Sequence, residues 1–164
     1  MKTKHFYPIL FALLFLSFAS QAQSYYLYYP GITVGKGVKG HSDEVYIIAL
    51  SNGFSKPSPS GPPVFQDYTL SKNNDVTSID ILKYATQGTV TDGVEIRAYA
   101  TGSTSPVLTI QLKGASITSY AVGGASQDGG CTNCSGLTEN ITIAYGAIKI
   151  GTFVWRLSDN TANF

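Results

Sequence analysis

A chain of 164 residues with 11 Lys+Arg against 10 Asp+Glu carries no charge excess with which to hold nucleic acid or an anionic membrane surface. Two cysteines and two histidines are too few for a four-ligand zinc site unless carboxylates or a second subunit contribute. Abundant tyrosine, glycine, serine and threonine favour strands joined by turns.

The first 22 residues read as a secretory leader. Lys2 and Lys4 precede the apolar run FYPILFALLFLSF, and ASQAQ follows with Ser20 and Ala22 at the small-residue positions of a cleavage site. The run falls short of the roughly 20 residues of a membrane span, and it lacks the polar face of a surface helix. The mature chain is therefore expected to begin at Gln23, where no cysteine is present to take a lipid. Loss of Lys2 and Lys4 leaves 9 basic residues against 10 acidic. The remaining stretch of about 140 residues is enough for one domain with a substantial core.

Short segments of period two follow. In EVYIIALS (44–51), Val45, Ile47 and Ala49 lie on one side and Tyr46, Ile48 and Leu50 on the other, as in a strand covered on both faces. GFSKPSPSGPP (53–63) holds Pro57, Pro59, Pro62 and Pro63, so it cannot pair centrally and should project as an extended loop. FQDYTLS (65–71) is a more polar strand. DVTSIDILKYATQG (75–88) breaks the rhythm, with Ile79, Leu82 and Ala85 at helical spacing. Thr77 or Ser78 is expected to cap this helix, Asp80 to add negative charge to its first turn and Gly88 to end it.

Beyond the helix, VEIRAYA (94–100) is expected to turn Val94, Ile96, Ala98 and Ala100 inward and Glu95, Arg97 and Tyr99 outward. VLTIQLKG sets Leu108, Ile110 and Leu112 against Thr109, Gln111 and Lys113. ASITSYAV and ENITIAYGAIKI continue the pattern, and Gly146 marks a bend or bulge in the last. Turns fall at TDG, TGSTSP and GGASQDGG. Between the last two strands lies DGGCTNCSG (128–136), whose Cys131 and Cys134 could be half a zinc site, a redox pair or a loop staple. Strands so regularly spaced argue for an antiparallel barrel or sandwich with one short helix.

Catalytic signatures are sparse. His41, the one histidine beyond the leader, is followed by Ser42 and Asp43, but triad members converge from separate segments and neighbours on a strand diverge. It reads as a residue at a turn and strand start. Asp67 and Asp80 read as a surface strand residue and a helix-start charge, not as paired carboxylates. No glycine loop that would cradle phosphate precedes a helix. The residues point to no enzyme, no cofactor and no metal.

The order of segments resembles the hemolysin-coregulated protein (Hcp) family, which forms the tube of type VI secretion systems. The resemblance runs from PGI (30–32) through KGHSDEVYIIALSNG (39–53), FQDYTLSKNND (65–75), LKYATQG (82–88) and VEIRAYATG to LTIQLKGASITSYAVGG (108–124) and ENITIAYGAIKI (139–150). It implies a mainly β, antiparallel two-sheet β-barrel with one short α-helix over residues 23–164. It also implies a six-membered ring of identical subunits that stacks into a tube and carries effector proteins, with no nucleic acid and, once the leader is gone, no membrane. The family's loop between rings corresponds to Ser55, Lys56, Pro57, Ser58, Pro59, Ser60, Gly61, Pro62 and Pro63. Three features depart from the family: the leader, Asn52 where the family commonly has tryptophan before glycine, and the paired cysteines.

In the family the cysteine segment is the loop before the last strand, and a CxxC redox site places a cysteine at a helix N-terminus instead. An exported chain with an even cysteine count then favours a Cys131–Cys134 disulfide, a staple contributing at most about 2 kcal/mol. The expected location is periplasmic or extracellular. A second reading is a secreted monomeric barrel that binds a glycan or protein through Tyr25, Tyr26, Tyr28 and Tyr29.

Overall fold

The computed structural model describes residues 23–32, 34, 40–124 and 136–164; the leader, Cys131 and Cys134 lie outside them. The chain is mainly β, with antiparallel sheets and one short helix, as expected. Six strands form one sheet: β1 (Gln23–Tyr28), β2 (Val45–Ile47), β7 (Val94–Ala100), β8 (Leu108–Lys113), β11 (Ala147–Ile150) and β12 (Phe153–Arg156), in the order β12-β11-β8-β7-β1-β2. Four form a second sheet: β3 (Ala49–Ser51), β6 (Tyr68–Asn73), β9 (Ser116–Gly124) and β10 (Leu137–Ala144), in the order β3-β6-β10-β9. The pair β4 (Phe54–Ser55) and β5 (Val64–Phe65) stands apart as a hairpin.

Three chain segments serve both large sheets. Residues 45–51, 108–124 and 137–150 each leave one sheet, turn a corner and enter the other. Two of these corners meet at glycines. Gly114 has φ +57°, and the Gly146 amide donates to the Lys113 carbonyl at 2.8 Å. The bend expected at Gly146 is thus the corner between β10 and β11. Within β10 the ladder to β9 also slips by a residue between Thr142 and Ile143, which is a bulge that adds local twist.

Corners explain why the alternation in residues 44–51 fails half way. Val45 and Ile47 are buried in the core, whereas Ala49 is exposed and Leu50 packs inward. The chain bends at Ile48, whose amide donates to the Ser71 carbonyl at 2.8 Å. Entering the second sheet there inverts which parity faces the core. FQDYTLS is likewise not one strand, because it divides between the hairpin at Phe65 and β6 at Tyr68.

The core lies between the sheets. Leu27, Ile96 and Leu112 from one meet Leu70, Ile141 and Ile143 from the other, all at most 1% exposed. Leu108, expected inward with Ile110 and Leu112, is 42% exposed at the open end of β8. Ala100 at the end of β7 is half-buried, and Tyr99, expected outward, is buried. It lies under a second small cluster on the outer face of the six-stranded sheet.

The helix α1 (Ser78–Gln87) packs against β9 and closes the core from the side. Its buried face differs from the expected stripe. Ile81 is fully buried and Tyr84 and Ala85 pack on the core, whereas Ile79 is 73% and Leu82 42% exposed. The sequence offers two apolar stripes, and the contact between Tyr84 and Tyr29 (ring centroids 5.3 Å apart) belongs to the one chosen. The N-cap falls at Thr77, one of the two residues expected, but its side chain makes no cap bond. The Asp75 carboxylate accepts the Thr77 amide (2.8 Å), and Ser78 Oγ accepts the Asp75 amide (3.0 Å). This reciprocal pair resembles a capping box begun at Asp75, two residues before the N-cap. Gly88 ends the helix in the left-handed region at φ 60°, as anticipated.

Gly31 has φ +89°, and a Cβ built there would land on the Tyr84 hydroxyl. Gly31→Ala combines an unfavourable backbone region with displacement of a core ring. The expected loss is about 1–3 kcal/mol, measured as a lower urea midpoint at unchanged slope.

Candidate functional site

Three features stand out: a projecting arm and two ionic networks. The arm is the β4–β5 hairpin. Phe54 pairs with Phe65 and Ser55 with Val64, so residues 56–63 form its tip, folded on a turn in which the Gly61 amide donates to the Ser58 carbonyl (3.0 Å). Ser55 therefore belongs to the arm's stem, and Lys56, Pro57, Ser58, Pro59, Ser60, Gly61, Pro62 and Pro63 to its tip. Most of these residues are exposed.

Asn52 fastens the arm to the body. Its Nδ2 donates to the Gln66 carbonyl (2.6 Å), which also accepts the Tyr145 hydroxyl (3.1 Å), while the Gln66 amide donates to the Gly53 carbonyl (2.8 Å). Phe65 lies 5.5 Å from Phe54 and within 6.5 Å of both Phe153 and Trp155, centroid to centroid. Phe54 (64% exposed), Val64 and Phe153 leave much of this apolar root facing solvent. A proline-stiffened tip on a clamped apolar root has little conformational entropy to lose.

The first ionic network joins the two middle strands of the second sheet. Lys72 and Glu139 are register partners on β6 and β10, and both side chains are fully buried. Lys72 Nζ donates to Glu139 Oε2 (3.0 Å), Asp75 Oδ1 (3.0 Å), Ser78 Oγ (3.2 Å) and the Asn73 carbonyl (2.6 Å). Glu139 Oε1 accepts from the Tyr120 hydroxyl (3.0 Å) and from Asn74 Nδ2. One ammonium thus ties the end of β6, the helix cap and β10 together. Burial pushes the Glu139 carboxyl up, but hydrogen bonds from Ser78, Lys72 and Asn74 and the Lys72 charge outweigh it and hold the group below its ordinary range. Asp75 is lowered in the same way against burial, by Thr77 and Lys72. Burial and then the neighbouring Glu139 push the Tyr120 hydroxyl up to about 12.

The second network covers the outer face of the six-stranded sheet. Glu44 is 2% exposed and accepts from His41 Nδ1 (2.6 Å), Arg97 Nη1 (2.5 Å) and the Tyr99 hydroxyl (2.8 Å). Arg97 also reaches Glu95 at 2.6 Å, and Gln111 donates to Glu95 at 2.9 Å. His41 stacks on Tyr26 with centroids 3.9 Å apart and meets Tyr99 edge-on at 4.4 Å. Desolvation alone would raise the Glu44 carboxyl; the bonds from Arg97, His41 and Tyr99 overcome it, and the group sits below its ordinary range.

Each residue singled out in the sequence can now be placed. His41 is a buried turn residue as expected, but its carboxylate partner is Glu44 and not Asp43. Asp67 is exposed immediately before β6, and Asp80 lies in the first turn of α1. Tyr26 and Tyr29 are buried and Tyr25 and Tyr28 half-buried, so the four tyrosines do not form a stacking platform. Among the described residues no group of three or more His, Cys, Asp or Glu side chains could hold a metal ion. No helix among them is long and apolar enough to cross a membrane.

Lys72, Glu139 and Glu44 were not anticipated as site residues. A signal existed for the first two: Tyr68, Leu70 and Lys72 share one parity, as do Glu139, Ile141 and Ile143. A charge on the apolar parity of two adjacent strands demands a buried partner. Glu44 and Arg97 lie 53 residues apart, with no comparable local mark.

Two sheets joined by three continuous chain segments, one flanking helix and a projecting arm define an antiparallel β-structure of the Hcp type. The family profile described as "Type VI secretion system effector, Hcp" matches residues 26–151. The chain belongs to the Hcp family. Its fold is similar to that of Hcp1 from Salmonella typhimurium (TM-score 0.72, 14% identity, 87% of this chain and 99% of the other covered). It is also similar to the secreted protein Hcp3 from Pseudomonas aeruginosa (TM-score 0.61, 19% identity, 87% and 96% covered). A third similar fold is Hcp1 from Flavobacterium johnsoniae (TM-score 0.64, 11% identity, 82% and 99% covered). No curated protein matches by sequence.

Proposed function

We propose that this chain is an exported structural subunit that forms a homo-oligomeric ring, six-membered by its resemblance, and that the hairpin arm makes the contact between stacked rings. The observation that carries this reading is the arm itself: an exposed, proline-stiffened tip on an apolar root, clamped to the body by Asn52 and Tyr145. Such a surface fits docking to a large, repeated partner, and a second ring supplies one. Effector proteins would travel in association with the ring. The test is native mass measurement with electron microscopy of the mature protein. Rings of a fixed multiple, stacking as concentration rises, support the reading; a strictly monomeric species at micromolar concentration rejects it.

Replacing residues 56–63 by Asn-Gly suits the Ser55–Val64 register, since two-residue loops of that type close hairpins well. This variant is expected to fold and form rings but to stack weakly, read as a loss of long particles in micrographs. Unfolding of the variant would place the tip in the domain's core and reject its contact role.

Export is the second half of the proposal. The leader is cleaved ahead of Gln23, and Cys131 and Cys134 pair within one subunit outside the cytoplasm. Protein alkylated before reduction should therefore start at Gln23 and take up no alkyl groups. Retained Met1 with both cysteines alkylated would restore cytoplasmic assembly.

A further inference from the structure

Gln23 is the exposed first residue of β1. β7 pairs with it through Ala100, while β2 reaches only Tyr25 through Leu27, so among the described strands none pairs with the other flank of Gln23. Its side-chain Oε1 accepts a hydrogen bond from the Tyr25 hydroxyl at 3.1 Å. Cleavage ahead of Gln23 creates an α-amine within reach of that residue's own side-chain amide, in the geometry of a five-membered ring. We propose that the exported chain closes its N-terminus to pyroglutamate and that Tyr25 is a positioning residue for the closure. This rests on the cleavage reading given above.

The step balances without any oxidant, metal or second substrate. The α-amine nitrogen of Gln23 attacks Cδ and a tetrahedral centre forms, with negative charge gathering on Oε1. The bond from Cδ to the side-chain nitrogen then breaks, and ammonia leaves with a proton from the former amine. A lactam remains. Attack within one residue needs no encounter, which is why such closures outrun their bimolecular counterparts. The Tyr25 hydroxyl donates to the oxygen on which charge develops, and a donor retained at that atom during closure favours the transition state. Because Oε1 becomes the lactam oxygen, Tyr25 keeps an acceptor after closure. The product has lost one positive charge from the end of β1 and offers no free amine to an aminopeptidase outside the cell.

The test uses full-length protein expressed with its leader and collected after export. Intact mass is taken before digestion, and the tryptic peptide of residues 23–36 is then sequenced by fragmentation. The expected peptide begins at Gln23, is lighter by one ammonia and resists Edman degradation until treated with a pyroglutamyl peptidase. Tyr25→Phe, followed over time at neutral pH from freshly exported protein, should close about threefold more slowly, the scale of one exposed hydrogen bond. A chain that starts at Gln23 and keeps its free amine on prolonged incubation overturns the closure and leaves the cleavage reading standing. A chain starting at Met1 or at any other residue overturns both. Closure of Tyr25→Phe at the wild-type rate removes Tyr25 from the proposal.

Discussion

Lys72→Met is expected to destabilise the domain by about 3–5 kcal/mol, the usual cost of leaving one member of a buried ion pair without its partner. The substitution keeps most of the side-chain volume but removes the charge from Glu139, one bond from the helix cap at Asp75 and one from Ser78. Domains of this size are stable by only about 5–15 kcal/mol, so much of the variant should be unfolded or insoluble at 37 °C. The double variant Lys72→Met/Glu139→Leu should recover a large part of the loss, because it leaves no uncompensated charge behind. Urea denaturation of the two single variants and the double gives the coupling energy directly. A double variant no more stable than Lys72→Met would show that the loss arises at the helix cap instead.

The same pair sets the acid limb of the stability profile. Glu139 is held below the ordinary glutamate value near 4.5 in the folded protein. Its contribution is therefore present above that value and is lost as pH falls through the lowered, folded one. Glu44 and Asp75, shifted in the same direction, act with it. In Lys72→Met burial still pushes the Glu139 carboxyl up while the opposing charge is gone. Acid unfolding of that variant should begin at a higher pH than in the parent, visible by circular dichroism across a pH titration.

Arg97→Met is expected to cost about 2–3 kcal/mol, somewhat less than a fully buried break because the guanidinium is partly in water. Glu44, at 2% side-chain exposure, would keep His41 and Tyr99 as donors but lose its charged partner. The loss should be local. Glu44 leads directly into β2, an edge strand that among the described strands pairs with β1 alone, so the amides of Val45 and Ile47 should exchange faster than those of β7. Glu95→Gln is the contrasting change, since the Glu95–Arg97 pair, with side chains 20% and 23% exposed, is still reached by water and is worth about 1 kcal/mol. Equal losses from the two substitutions would mean that the Glu44 carboxylate does not depend on Arg97.

Much of this molecule is readable along the chain because much of it is local. Alternation of period two is a property of consecutive residues, so β7, β8 and β10 could be found by inspection. Gly88 marks a helix end through a backbone freedom that needs no distant partner, and Gly146 breaks the alternation where the corner falls. Prolines at 57, 59, 62 and 63 rule out a central strand by their missing amides. The family resemblance likewise rests on the order of such local pieces.

What the local pattern left undecided was always a matter of which surfaces meet. Residues 44–51 alternate without fault, yet the bend at Ile48 hands the chain to another sheet and exposes Ala49. Two apolar stripes run along α1, and only packing against Tyr29 and the core selects Ile81 and Tyr84 over Ile79 and Leu82. Lys72 on a polar-looking strand becomes a buried hub because register sets it opposite Glu139, 67 residues away. Composition, alternation and turn chemistry therefore determined the class of fold and its punctuation. Tertiary structure alone decided which face of each element is inside and which charges meet there, because burial and ionic pairing depend on residues far apart in sequence whose separation is set by sheet register and not by spacing along the chain.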